Sequence, residues 1–270
     1  MLLIVLFALL SPALSALLYY TVFPEAHFLV MLPMAFGFFL AFNLLFVLFL
    51  YLNSIFAPKE QPKRYRPYYR FCTLFALKWF SALFRVRLRV YGKEKLPREP
   101  FILISNHRSA MDAVYGLCAF PERKLAFIAK SEVMKYPIVG RHILNAGFLG
   151  IERDKPLAAL RVVSRAAKYV KEEGMDYGIY PEGTRTKDGK VGPFKEGAFL
   201  AAKKADAPIV LITTEGTERF FKQFPFGSPK IVITVREVID VETVRALGAD
   251  ELCHRARAII KEALGESDTE

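Results

Sequence analysis

The first 57 residues of this 270-residue chain are almost continuously apolar, whereas apolar and polar positions alternate through the remainder. Residues 2–23 form one apolar run and residues 28–56 form a second, with the short segment 24–27 between them. A helix needs roughly 20 apolar residues to cross the hydrocarbon core of a bilayer, and both runs reach that length. The pattern therefore predicts a hydrophobic helical hairpin that spans the bilayer or at least enters it.

Two other interpretations of these runs are less consistent with the pattern. A cleaved signal peptide would explain the first run, but no basic residue precedes that run, and residues 11–16 form only a weak cleavage site. Two core helices of a soluble domain would each carry a polar stripe on the outer face, and neither run has one. The membrane hairpin, residues 1–57, is therefore the favoured interpretation.

The alternation after the hairpin predicts an interfacial segment, residues 58–84, and an α/β domain, residues 85–270. Residues 68–84 have the pattern of an amphipathic helix at a membrane surface. Residues 85–90 alternate with a period of two, which predicts a strand with three arginines on one face. Further strands are predicted at 101–104, 125–129, 148–151, 177–180, 209–213 and 231–235, and helices at 110–120, 157–173, 196–205 and 241–264. Interleaved strands and helices predict a largely parallel or mixed sheet flanked by helices.

Charge is concentrated directly after the hairpin. Residues 59–95 contain eleven Lys and Arg and two acids, which is a formal charge of +9 out of +11 for the chain. Basic residues beside a membrane segment stay on the cytoplasmic side, and they attract anionic lipid headgroups. Binding to nucleic acid is the competing interpretation of a basic chain. It is disfavoured because the basic residues lie beside the apolar runs and are interleaved with tyrosines.

The three cysteines, Cys72, Cys118 and Cys253, are odd in number and widely separated. Neither a disulfide framework nor a metal site is indicated by that spacing. We expect reduced cysteines that serve packing, and the sequence indicates no metal or cofactor.

Two polar motifs carry the candidate chemistry. Residues 106–112 read Asn-His-Arg-Ser-Ala-Met-Asp, and residues 180–185 read Tyr-Pro-Glu-Gly-Thr-Arg. The first motif offers a base, His107, and an acid that can orient it, Asp112. No serine or cysteine nearby has the local signature of a nucleophile. The pair therefore indicates an enzyme whose nucleophile arrives with the substrate, such as an alcohol activated by a general base.

The spacing of His107 and Asp112 predicts a turn. Positions five residues apart on a continuous helix point about 140° apart at roughly 3.6 residues per turn. The two side chains meet if His107 lies just after a strand and Ser109 caps a helix whose first turn contains Asp112. Residues 101–104 are the apolar strand that this geometry requires.

These two motifs, in this order, resemble those of the glycerolipid acyltransferase family, and in particular of the lysophosphatidic acid acyltransferases. The resemblance extends over residues 88–214. It implies a membrane enzyme that moves a fatty acyl group from acyl-CoA or acyl carrier protein to a lysophospholipid. His107 would then remove the proton of the acceptor hydroxyl, with Asp112 holding the ring.

The resemblance also implies the residues that bind the acceptor. In the family, the second motif binds the glycerol phosphate, which assigns Arg185 to the phosphate together with Glu182, Gly183 and Thr184. The substrate-binding set is completed by Asn106, by Lys130 at the end of a predicted strand, and by Arg153. Arg153 ends a segment similar to another family block, from which this chain departs at Gly150, where an aromatic residue is usual.

Three other functions are compatible with parts of the sequence. An acyltransferase acting on another lysophospholipid or a lyso-aminolipid would use the same residues. A hydrolase would use water in place of the alcohol and release free fatty acid. A non-catalytic membrane protein that binds lipid belongs to a different class, and the presence of both His107 and Asp112 disfavours it.

Overall fold

The computed structural model describes residues 2–62, 64–152, 155–186, 189–223 and 227–266. Its helices are α1 (Leu2–Val22), α2 (Met31–Phe56), α3 (Pro67–Leu83), α4 (Met111–Ala119), α5 (Val139–Asn145), α6 (Pro156–Glu173), α7 (Gly197–Ala205), α8 (Phe220–Gln223), α9 (Val241–Ala246) and α10 (Ala249–Ala263). Its strands are β1 (Arg87–Tyr91), β2 (Ile102–Ser105), β3 (Leu125–Lys130), β4 (Leu149–Ile151), β5 (Asp176–Ile179), β6 (Ile209–Glu215) and β7 (Lys230–Ile239). Strands and helices alternate through most of the chain after α3, as the pattern predicts.

Helices α1 and α2 form the predicted antiparallel hairpin. Phe7 stacks on Phe42 with ring centroids 5.3 Å apart, and the Ser15 hydroxyl donates to the carbonyl of Met31 at 2.7 Å. Both helices are long and apolar enough to cross a membrane, yet only 17% and 11% of their most apolar windows are buried. Core helices of a soluble domain would be mostly buried. The two apolar helices therefore indicate association with a membrane.

Within the described residues, seven strands form one sheet in the order β1-β7-β6-β2-β5-β3-β4. The five strands from β6 to β4 in this order are mutually parallel, β7 is antiparallel to β6, and β1 is parallel to β7. The sheet is therefore mixed and largely parallel, as predicted. We call the edge at which the five parallel strands end the carboxyl edge.

The buried core confirms the two-sided cover that the apolar strands predict. Strands β2 and β5 are buried along their whole length, and β6 is buried except at its last residue, Glu215. A central parallel strand is apolar on both faces because helices pack against both. Helix α4 packs on one side, with Tyr115 fully buried, and helices α7 and α10 contribute Phe199 and Ile260.

Helix α3 runs along the sheet and ends at the carboxyl edge. Near its start the buried Arg70 donates to the carbonyl oxygens of Leu125 at 2.6 Å and Arg123 at 2.7 Å, where β3 begins. After its end the amide of Arg87 donates to the carbonyl of Pro229 at 2.8 Å, where β7 begins. Because β7 is antiparallel to β6, its start lies at the carboxyl edge. Helix α3 thus connects the hairpin to the sheet and extends from the edge where the parallel strands begin to the carboxyl edge.

The hairpin projects from the carboxyl edge. Helix α2 packs antiparallel to α3. The Trp79 indole, near the end of α3, donates to Asn43 Oδ1 at 2.9 Å, and Asn53, later in α2, contacts the Tyr68 hydroxyl near the start of α3. The part of α2 before Asn43, together with the turn to α1, therefore extends past the end of α3. The apolar helices and the ends of the parallel strands face the same direction.

Two predictions about the elements need correction. The helix predicted over 241–264 is two helices, because Gly248 has an extended backbone and its amide donates to the Glu251 carboxylate at 2.7 Å to start α10. The strand predicted from residue 85 begins at Arg87, because Arg85 has φ +51° and reverses the chain after α3. Helices α5 and α8 were not predicted.

Candidate active site

The His107 and Asp112 side chains meet across the turn between β2 and α4. Strand β2 ends at Ser105 and α4 begins at Met111, which places Asp112 in the first helical turn. His107 Nδ1 lies 2.8 Å from Asp112 Oδ2, and the Ser109 hydroxyl accepts from the amide of Met111 at 3.2 Å. The predicted strand–turn–helix arrangement is therefore present.

The Asp112 carboxylate is buried and is held by four hydrogen bonds. In addition to His107, the amides of Arg108 and Ser109 each donate to Oδ2 at 2.8 Å. The Thr217 hydroxyl donates to Oδ1 from the short helix that follows β6. A carboxylate accepts and cannot donate, so Nδ1 of His107 carries the proton in this contact. Nε2 of His107 is then the ring nitrogen that can accept a proton from a substrate.

A stack of aromatic rings lies beneath the His107 ring. Tyr180 is stacked on His107 with ring centroids 4.2 Å apart, and Phe127 is stacked on Tyr180 at 5.5 Å. Burial raises the pKa of Tyr180 well above its ordinary value, and the Asp112 charge acts in the same direction. Tyr180 therefore stays neutral and fixes the plane of the imidazole.

Glu182 joins the two motifs through the backbone. Its Oε1 accepts from the amide of His107 at 2.8 Å, and its Oε2 accepts from the amide of Gly192 at 3.3 Å. The amide of Thr186 donates in turn to the His107 carbonyl at 3.0 Å. Burial raises the pKa of the Glu182 carboxyl, while the backbone donors lower it. Glu182 therefore holds the second motif against the first, with both oxygens occupied by amides.

The rest of the second motif lies open to solvent beside this junction. Gly183 has φ +71°, a left-handed conformation that a residue with a Cβ rarely adopts, and an added Cβ would lie 3.2 Å from Lys195 Nζ. Thr184 and Arg185 are exposed. The Arg185 guanidinium forms no hydrogen bond or ion pair with the described part of the chain. It is therefore available to a ligand at the mouth of the site.

The other predicted binding residues differ in their surroundings. Asn106 is buried, and its amide forms two hydrogen bonds of 2.9 Å with the backbone of Thr214, which fastens the end of β2 to β6. Lys130 is exposed at the end of β3 and is paired with Glu132 at 2.9 Å. Arg153 lies outside the described residues. Asn106 thus positions the backbone beside His107, and Lys130 lies exposed at the carboxyl edge.

Two residues of the site were not identified from the sequence. Thr217 reaches Asp112 from 105 positions away along the chain. Glu266, after α10, lies 3.4 Å from the Arg108 guanidinium and accepts from the amide of Val191 at 2.8 Å. No sequence motif marks either residue, because each acts through a contact made only in the folded chain.

The described residues contain no group of three or more His, Cys, Asp or Glu side chains that could hold a metal ion. The three cysteines are unpaired, and Cys72 and Cys253 are buried. Burial raises the pKa of the Cys118 thiol to about 11, so this thiol is protonated at neutral pH and is a poor nucleophile.

Comparison with known proteins links this geometry to one family. The family model described as Acyltransferase matches residues 87–215. The chain is 32% identical over 189 residues to the human 1-acyl-sn-glycerol-3-phosphate acyltransferase beta, a match that covers 66% of the chain and 67% of the human protein. It is 35% identical over 179 residues to a chloroplastic 1-acyl-sn-glycerol-3-phosphate acyltransferase of Brassica napus, which covers 65% of the chain and 50% of that protein. The chain thus spans about half the length of the Brassica relative.

A solved structure supports the fold. The 1-acyl-sn-glycerophosphate acyltransferase of Thermotoga maritima superposes with a TM-score of 0.59 at 24% identity, over 98% of this chain and 96% of that protein. The likeness covers the hairpin as well as the sheet.

Proposed function

Since this chain belongs to the acyltransferase family, we propose that it transfers a fatty acyl group to the sn-2 hydroxyl of 1-acylglycerol 3-phosphate, giving phosphatidic acid. Acyl-CoA or acyl carrier protein is the donor. The observation that carries this proposal is the His107–Asp112 pair without a protein nucleophile. No described hydroxyl or thiol side chain is hydrogen bonded to the His107 ring, so an alcohol from the substrate fits as its partner.

The reaction needs two proton transfers, to and from His107, and the replacement of a C–S bond by a C–O bond. His107 Nε2 removes the proton of the acceptor hydroxyl as the hydroxyl oxygen attacks the thioester carbonyl carbon. The tetrahedral intermediate then expels the thiolate, so the C–S bond breaks and an ester remains. The imidazolium returns its proton to the thiolate. Asp112 stabilises the imidazolium and keeps Nδ1 protonated throughout.

The acceptor phosphate binds at the mouth of the site in this proposal. Arg185 offers forked donors for phosphate oxygens, and Arg153 and Lys130 add positive charge. Gly183 allows the backbone to approach the ligand closely, and the Thr184 hydroxyl is a further donor. Asn106 and Glu182 position His107 and do not bind the phosphate themselves in this proposal, since both side chains hydrogen bond to backbone groups around His107.

The lipidic nature of both reactants explains the division of the chain that we propose. Residues 1–57 anchor the protein, residues 58–84 lie at the interface, and residues 85–270 perform the chemistry. The site lies at the carboxyl edge, from which the hairpin projects, so a lysolipid can enter it directly from the bilayer. The basic residues after the hairpin favour the cytoplasmic side, where both acyl donors are found.

A product assay tests the proposal. Purified full-length protein in detergent is incubated with radiolabelled acyl-CoA or acyl carrier protein and a panel of lysophospholipids, and the lipid products are separated. We expect labelled phosphatidic acid only with the lysophosphatidic acid acceptor, and none from His107→Ala. His254→Ala, which removes an exposed histidine on α10, is the matched control and should retain activity. Acylation of a different lysolipid would reassign the acceptor, and release of free fatty acid would indicate a hydrolase.

A further inference from the structure

An exposed apolar turn, residues 136–139, lies between β3 and α5 and has no part in the proposed chemistry. The side chains of Tyr136 and Val139 are 57% and 51% exposed. The turn is tight, because the amide of Val139 donates to the Pro137 carbonyl at 2.6 Å. Ile138 has φ +62°, a backbone region that a β-branched residue rarely adopts. The turn therefore presents apolar side chains from a fixed backbone.

The position of the turn follows from the elements on each side. Strand β3 ends at the carboxyl edge, and the turn follows after one short helix, Ser131–Lys135. Helix α5 then runs back along α3, since His142 packs on Tyr69 with ring centroids 6.2 Å apart. At its far end Asn145 donates to the carbonyl of Pro58 at 2.9 Å, directly after α2. The turn is thus at the end of α5 that faces the same direction as the hairpin.

Other exposed apolar side chains lie at the same corner. Leu157 and Leu160, at the start of α6, are 75% and 44% exposed. Helix α6 follows β4, whose last residue, Ile151, accepts from the Ser131 hydroxyl at 3.0 Å beside the short helix that leads to the turn. Lys135 and Arg141 flank the turn and supply positive charge. The corner therefore combines apolar side chains with basic neighbours.

We propose that the 136–139 turn inserts into the lipid interface and is a second point of attachment of the α/β domain to the membrane, separate from the hairpin. The occupant is a bilayer leaflet with anionic headgroups. The turn and the hairpin face the same direction, so both can contact one membrane surface. Tyrosine is common in the headgroup region, where its ring contacts the acyl chains and its hydroxyl remains hydrogen bonded to water or headgroups. Lys135 and Arg141 can reach the phosphates from either side.

Insertion should hold the carboxyl edge against the bilayer at two separated points. One attachment, through α1 and α2, leaves the hairpin and the domain free to tilt together relative to the bilayer. A second attachment, at the opposite side of the site from the end of α3, restricts that tilt. The mouth of the site would then stay at the depth of the lysolipid headgroups.

Quenching of tryptophan fluorescence by brominated lipids measures the insertion directly. Trp79 is the sole tryptophan in the sequence, so Tyr136→Trp in a Trp79→Phe background reports on the turn alone. Lys171→Trp in the same background is the matched control, since Lys171 is exposed near the opposite end of α6 from Leu157. The full-length proteins are reconstituted in vesicles of phosphatidylcholine and phosphatidylglycerol. The lipids either lack bromine or carry it on the part of the acyl chain that lies nearest the headgroup.

We expect bromine to quench the residue 136 reporter at least about twofold more than the residue 171 reporter, because interfacial groups lie roughly 5–10 Å into the headgroup and acyl boundary. Flotation of the protein with the vesicles reports separately on the hairpin. Equal quenching of both reporters in floating protein would overturn the insertion of the turn while leaving the hairpin and the acyltransferase proposal untouched. If Trp79→Phe prevents folding, the same pair is measured with Trp79 retained, and the difference from the native protein decides in the same way.

Discussion

Replacing Thr217 by valine tests whether the acid behind His107 must be held by both of its oxygens. Thr217 is fully buried and donates to Asp112 Oδ1. Valine retains the shape and the branch at Cβ but removes the donor. We expect transfer to slow while the protein remains folded, because the Asp112 carboxylate loses one of its restraints. Thr217→Ser keeps the hydroxyl and should retain most of the activity.

The contacts of Asp112 set the expected size of this effect. His107 and the two backbone amides all contact Oδ2, and Thr217 is the donor to Oδ1 among the described residues. Hydrogen bonds to charged groups contribute about 1.5–3 kcal/mol. Since each 1.4 kcal/mol changes a rate about tenfold, kcat should fall by roughly 10- to 100-fold. The unfolding free energy should fall by about 1–3 kcal/mol as well, because a buried acceptor is left unpaired.

The assay follows phosphatidic acid formation with both substrates varied, together with a melting curve for each variant. A loss confined to kcat, with little change in either KM and recovery in Thr217→Ser, matches an orienting role. A folded Thr217→Val protein with native kcat would refute it, and so would an equal loss in the serine variant.

Three further predictions concern Arg185, Glu182 and Glu266. Arg185→Ala should raise the KM of the phosphorylated acceptor by about 10- to 100-fold and change the KM of the thioester little. Arg185→Lys should recover only part of the loss, because an ammonium group does not reproduce the two parallel donors of a guanidinium. A change in the thioester KM alone would contradict the assignment of Arg185 to the phosphate. Burial raises the pKa of Glu182, so the stability this group contributes is present below its unfolded pKa and is lost as pH rises through the raised value. As pH rises from below the ordinary carboxyl range, the native protein should therefore lose unfolding free energy relative to Glu182→Gln, which cannot ionise at this position. Denaturant titrations at several pH values measure this difference, and a difference that does not change with pH would contradict the shift. Glu266→Gln should lower kcat about three- to tenfold by loosening Arg108, since a partly exposed charged contact contributes about 1 kcal/mol; unchanged kinetics would show that this contact is dispensable.

Much of the architecture could be predicted from the sequence because local patterns determined it. The hairpin is visible as two uninterrupted apolar runs. The turn between His107 and Asp112 follows from a spacing that no single helix satisfies. Each of these features depends on residues close together in the chain, so periodicity and capping rules are sufficient to find them.

What could not be predicted depends on contacts between distant residues. The antiparallel direction of β7 leaves no trace in its apolar pattern, because alternation is the same in either direction. Thr217 and Glu266 are ordinary residues in sequence and acquire a role only when β6 and α10 bring them to the motif. Helix α5 could not be predicted because it has only seven residues and follows a turn in which Ile138 has a positive φ, and neither feature has a signature in the local sequence.

The central claim is that the acceptor alcohol, activated by His107, attacks the thioester directly. Release of free thiol from acyl-CoA and from acyl carrier protein, measured with and without lysophosphatidic acid, tests this claim most directly. We predict steady thiol release only when the acceptor is present, no acyl group bound covalently to the protein, and a loss of about 10²–10⁴-fold in His107→Ala, the range that general base catalysis contributes. A burst of thiol release without acceptor, leaving labelled acyl-protein, or native turnover in a folded His107→Ala variant, would contradict the account.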